Sequence, residues 1–111
     1  MKRVWWMIGL LVAGLATSGL AAEAKIKALY DKECAKCHGD DGKGDTKMGK
    51  KLGCKDYTDP KVQAEMKDEE AFKAIKEGLK DKNGRTLMKP IEGASDEDIK
   101  ALVQYMRSFK K

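Results

Sequence analysis

The sequence predicts an all-α domain, and three observations carry that prediction. Apolar residues recur at three- and four-residue steps in stretches around 24–37, 68–79 and 95–109. The stretches between them are rich in glycine and lysine and have no apolar period. Nowhere do four or more β-forming residues alternate cleanly with polar ones, so no strand of ordinary length is on offer. With 111 residues there is room for one domain, and 37% charged against 41% apolar composition excludes a disordered tail.

The first 22 residues stand apart. Lys2 and Arg3 give a basic start, Val4 to Leu20 is apolar but broken by Gly9, Gly14 and Gly19, and Ala21, Ala22 and Ala24 are small. That is the layout of a secretory signal peptide. The apolar run falls short of the ~20 residues of an ordinary membrane span. Residues 1–22 are therefore expected to be removed by cleavage between 21 and 24, leaving 23–111 as the working domain without permanent membrane insertion; an uncleaved leader would instead make a membrane-tethered form. Export predicts a periplasmic location, where paired cysteines normally oxidise. Cys34, Cys37 and Cys54 are three, and three do not pair evenly.

Cleavage also removes both tryptophans and two positive charges, lowering the formal charge from +5 to +3. Acidic residues are interleaved with the lysines, and only Arg85 and Arg107 remain as arginines. Such a chain lacks the concentrated basic patch of a nucleic-acid binder. Its apolar content is also thin for so short a domain, which predicts a non-peptide contributor to the core.

In chain order, AKIKALYDKECAKC at 24–37 places Ile26, Leu29, Tyr30, Cys34 and Cys37 on one helical repeat, ended by Gly39. Gly42, Gly44, Gly49 and Gly53 then predict a loop to about Tyr57. Pro60 after Thr58 and Asp59 opens a short helix with Val62 and Met66. Asp68 opens another, with Phe72, Ile75 and Leu79 on one face. Arg85 to Gly93 reads as a connecting loop. Ser95 with Asp98 forms a capping box, followed by Ile99, Leu102, Val103 and Met106 on the apolar face of a terminal helix.

The specific chemical signal is CAKCH at 34–38. On a helix, two sulfurs and an imidazole at these spacings emerge within about one turn. The thiols can add to the two vinyl groups of a haem while the adjacent imidazole reaches its iron. A Cys3His zinc site from Cys34, Cys37, His38 and Cys54 is the alternative, disfavoured because Cys37 and His38 are sequence neighbours. A thioredoxin-like motif would need a βαβ context that is missing.

With CAKCHGDDGKG at 34–44, TLMKP at 86–90 and SDEDIKALVQYMRSF at 95–109, the chain resembles a small bacterial class I cytochrome c, a monohaem c-type cytochrome. The resemblance implies about four helices wrapped around one covalently attached haem c, crossing first and last helices, and a methionine from a late loop as second axial ligand. Cys34 and Cys37 are then the haem thioethers and His38 the proximal iron ligand. Met106 sits on a core face and Met66 in a short helix, whereas Met48 is only ten residues beyond His38. Met88, in the late loop beside Pro90, is the expected distal ligand. The family often has Met followed directly by Pro; here Lys89 intervenes.

Protein ligands on both sides of the iron imply electron transfer rather than catalysis. His38 is the only histidine and no distal acid–base pair is evident, so the chain is expected not to be an enzyme. A peroxidase-like or gas-binding haem with a labile methionine is the competing class. The expected protein is a monomeric periplasmic carrier with a positive potential, serving redox protein partners in a respiratory chain. Lys43, Lys47, Lys50, Lys51, Lys55 and Lys89 could form a basic rim for an acidic partner, diluted by Asp40, Asp41, Asp45 and Asp56. Cys54 is expected as a small buried residue near the haem wall.

Overall fold

The computed structural model describes residues 13–111. Most of the predicted signal segment, residues 1–12, lies outside the described residues. Six helices and one short hairpin follow in chain order. They are α1 (Ala13–Glu33), α2 (Ala35–His38), α3 (Lys47–Leu52), α4 (Pro60–Glu65), α5 (Asp68–Glu77), β1 (Leu79–Lys80), β2 (Thr86–Met88) and α6 (Asp96–Arg107). Among the described residues no helix is long and apolar enough to cross a membrane.

The core is where α1 meets α6, with α5 alongside. Ile99, Leu102, Val103 and Met106 are spaced to occupy one face of α6, and all four are buried. They meet Ile26 and Tyr30 of α1 and Ile75 of α5 in a single cluster. Full burial of each aliphatic side chain is worth about 1.5–3 kcal/mol. The predicted ring contact between the terminal helices is present: Tyr30 and Tyr105 centroids lie 4.8 Å apart, and Phe109 completes the group at 5.4 Å from Tyr30. Packing starts late along α1. Gly19 through Lys25 are exposed, and Ile26 is the first buried residue among those whose side chains are described.

The predicted first helix departs from expectation in its bounds as well as its continuity, since it begins at Ala13 rather than at residue 24. It breaks at Cys34, where φ is −118°, and restarts as α2. Hydrogen bonds bridge the break: Cys34 donates its N–H to Tyr30, and Cys34 accepts from His38. The expected loop over 39–57 also contains α3, capped by the Thr46 hydroxyl, which accepts from the Gly49 N–H. A third departure is the β1–β2 pair, in which Leu79 faces Met88 and Lys80 faces Thr86 across an irregularity. The Asp81 carboxylate closes its turn by accepting from the N–H groups of Asn83 and Arg85.

Two caps carry their predicted geometry. Asp59 accepts from Lys61 N–H ahead of Pro60 at the start of α4. At α6, the Ser95 hydroxyl accepts from the Asp98 N–H while the Asp98 carboxylate accepts from the Ser95 N–H. Lys25 lies 3.2 Å from Asp98, joining α1 to this box. Ser95→Ala should therefore destabilise the fold by about 0.5–2 kcal/mol in urea titrations. The bond from the Ser95 N–H and then Lys25 hold the Asp98 carboxyl below its usual range. Its contribution is thus complete above the unfolded carboxylate value of about 3.9 and is lost as pH falls through the lower folded value. Asp98→Asn should flatten that acid limb of the stability curve.

The opposite end of α6 is braced by Arg107. Its guanidinium donates to the Asp68 carboxylate at 2.7 and 3.0 Å, to the Met66 carbonyl at 2.6 Å and to the Gln63 carbonyl at 2.7 Å. A planar fork reaches several acceptors at once, which a lysine ammonium on its single stem does not. The α4–α5 connection is thereby fixed to the end of α6.

Candidate functional site

A helix leaves its last carbonyls without intrahelical partners. In α2 the following loop supplies them. The Thr46 hydroxyl donates to the Cys37 carbonyl at 2.8 Å, Gly44 N–H donates to the His38 carbonyl at 2.8 Å, and Gly39 N–H donates to Ala35. Tyr30 adds a bond from α1, its hydroxyl donating to the Gly39 carbonyl at 2.6 Å. Burial, above all, pushes that hydroxyl well over its ordinary value, keeping it a donor. The four-residue helix bearing CAKCH is therefore held on both sides by backbone and hydroxyl groups.

Thr46 bonds α2 and caps α3 with one hydroxyl, so the two helices pack closely. Gly49 lies at the contact, and a Cβ there would collide with the carbonyls of Cys37 and Gly44. Cys34, Cys37 and Cys54 are all free thiols and all half-buried. Burial, with Glu33 and Cys37 nearby, pushes the Cys34 thiol up to about 11. Among the described residues no group of three or more His, Cys, Asp or Glu side chains is arranged to hold a metal ion. The Cys3His alternative finds no support there. Cys54 is half-buried rather than deeply buried as expected.

His38 is the residue the peptide does not satisfy. Its Nδ1 is buried with no hydrogen-bond partner. An unsatisfied buried polar group costs about 1–3 kcal/mol. Burial also lowers its pKa from the ordinary value, favouring neutral imidazole, the form that ligates metals. Its ring meets Tyr57 edge-on, with centroids 5.7 Å apart. Two free cysteines and an unsatisfied imidazole within five residues fit a covalently held haem.

Met88 is placed by the hairpin. It is half-buried on β2 and packs against the same buried cluster as Cys34. Two contacts fix its position. Ile91 N–H donates to the Ile75 carbonyl of α5 at 3.0 Å, anchoring the exit from the strand. Gly78, at φ +82°, allows the chain before β1 to pass the Met88 carbonyl, which a Cβ would approach to 2.6 Å. Of the other methionines, Met106 is buried in the core as expected, whereas Met48 on α3 and Met66 at the end of α4 are half-buried. Met48 thus belongs to a helix rather than to the loop expected from its surroundings.

Sequence reasoning assigned no role to Tyr57 or Gln63. Gln63 is buried, and its amide donates to the carbonyls of Tyr57 at 2.7 Å and Met106 at 2.9 Å. A glutamine in a short polar helix offers no periodic signal for such a position. A cleft of about 470 Å³ on the α5–α6 side has Phe72 and Val103 among its lining residues and none of the residues predicted for the site.

A family model described as Cytochrome c matches residues 23–110. Among solved structures, the chain is similar to the KustC0563 c-type cytochrome, with 36% identity, a TM-score of 0.65, and coverage of 77% of this chain and 96% of that one. A tyrosine-to-phenylalanine mutant of Kustc0563 gives 34% identity and a TM-score of 0.63, with 77% and 98% covered. No curated protein matches.

Proposed function

The chain belongs to the cytochrome c family and binds one haem c covalently, and from that premise we propose that it is a periplasmic shuttle for single electrons between protein partners of a respiratory chain. When bound, the haem supplies a one-electron ferric/ferrous couple. Cys34 and Cys37 would hold it through thioethers, with His38 and Met88 as the axial ligands. The observation carrying this reading is the buried His38 Nδ1 without a partner, one residue from a free cysteine. A soft thioether from Met88 favours the ferrous state, as does burial, so the potential is expected to be positive.

The residues around the motif serve positioning. Thr46, Gly44 and Tyr30 occupy carbonyls at the end of α2, which fixes the backbone that carries His38. Lys47, Lys50, Lys51 and Lys55 are exposed on and beside α3, next to α2. They suit a weakly docking acidic partner, although Asp45 and Asp56 dilute the field.

Optical spectra of exported protein, oxidised and reduced, with and without carbon monoxide, test the proposal together with its intact mass. The expected result is a low-spin haem that ignores carbon monoxide and a mass equal to a chain beginning at residues 22–25 plus one haem. Rapid carbon monoxide binding by the reduced native protein would instead indicate an open iron and ligand chemistry. A retained leader in the mass would make it a tethered carrier.

A further inference from the structure

Resting on His38 as an axial ligand, we propose that Gln63 is a positioning residue that seats the Tyr57 ring against His38 and so keeps water from that side of the haem. Gln63 is only 4% exposed, yet both of its donor hydrogens are used, on Tyr57 at 2.7 Å and on Met106 at 2.9 Å. Its Oε1 accepts from Arg107 Nη1 at 3.2 Å, and its own carbonyl accepts from the same nitrogen at 2.7 Å. Turning the amide over would face its oxygen toward two carbonyls and its NH2 toward a guanidinium. Only one orientation is therefore stable.

That orientation fixes the segment carrying Tyr57. The Tyr57 N–H donates to Gly42 at 2.8 Å, its carbonyl accepts from Gln63, and the next carbonyl, of Thr58, accepts from Lys111 N–H at 3.0 Å. The backbone of Tyr57 is thus held from the loop after α2 on one side and from α4 and the end of α6 on the other. Its ring sits edge-on to His38 at 5.7 Å between centroids. Residues behind an axial histidine control its orientation and its access to water, and both tune a haem potential. The Gln63 side chain bonds Tyr57, Met106 and Arg107 and neither His38 nor the two cysteines of the motif; its effect passes through Tyr57.

Gln63→Met keeps the volume, adds no charge and removes both donors. It should lower the midpoint potential, because water reaching His38 favours the extra positive charge of ferric iron. Tyr57→Ala should lower the potential at least as far, and Tyr57→Phe, which keeps the ring, should leave it close to wild type. The decisive comparison is the double variant. If Gln63 acts through Tyr57, Gln63→Met in a Tyr57→Ala background produces no further shift. A Gln63→Met protein that melts earlier but keeps its potential overturns the inference, as does a double variant whose shifts add. Gln63→Asn, one methylene short of both carbonyls, serves where Gln63→Met does not accumulate, with the same expected direction. A wild-type haem that is not low-spin overturns the axial assignment and this inference together; a low-spin wild type with an unmoved Gln63 variant overturns this inference alone.

Discussion

Met88→Ala is expected to leave the iron open on one side, so that the reduced protein binds carbon monoxide rapidly and its midpoint potential falls. Axial ligand identity moves haem potentials across about 0.8 V, so on this assignment loss of the thioether should be a large redox effect. The fold itself should survive. Met88 is half-buried at the end of a three-residue strand, and the hydrogen bond holding that strand's exit uses the backbone of Ile91 and Ile75. Met48→Ala and Met66→Ala are the controls. Both should retain a closed iron; if either one opens it while Met88→Ala does not, the distal ligand has been misassigned. Lys89 between Met88 and Pro90 makes this comparison necessary, since the usual adjacent Met-Pro pair is not present to settle the choice.

Gly49→Ala should lower both stability and haem loading. The dihedrals of Gly49 lie outside the left-handed region, so alanine is conformationally acceptable there. The obstacle is steric. The added methyl collides with the carbonyls of Cys37 and Gly44 and comes within 2.9 Å of Thr46 Oγ1. Backbone atoms do not rotate away as a flexible side chain would. Overpacking of this kind costs about 1–3 kcal/mol, and forced separation of α2 and α3 would add about 1 kcal/mol for each Thr46 hydrogen bond lost. Urea titration and the yield of haem-loaded protein measure the two consequences. Normal loading at wild-type stability would show that α3 is free to move away from the motif.

The longer elements were legible in the sequence because their causes are local. Ser95 and Asp98 announce α6, whose buried residues recur at the spacing of one helical face. Asp59 and Pro60 mark α4, and α5 follows its apolar period through Phe72 and Ile75, whereas Leu79, expected on the same face, lies beyond Gly78 in β1 and is exposed. The haem motif was legible for the same reason, as three reactive side chains within five residues. The rest depends on distant partners. Helix α3 has too few apolar residues to show a period and stands on the Thr46 cap and its contact with α2. The hairpin strands are shorter than any alternation could reveal. Gln63 and Met106 are 43 positions apart, and side chain to backbone bonds leave no mark on residue spacing.

The exposure of α1 from Gly19 to Lys25 bears on what removal of the expected leader would do. From Gly19 to Ala24 the residues are exposed, whereas Lys25 pairs with Asp98 and Ile26 is buried. Chains trimmed at different peptide bonds from 21 to 24 would thus differ from one another only in exposed residues. Ragged N termini from imprecise processing should therefore share one melting curve and one colour, and an exopeptidase would meet its first energetic resistance at Lys25.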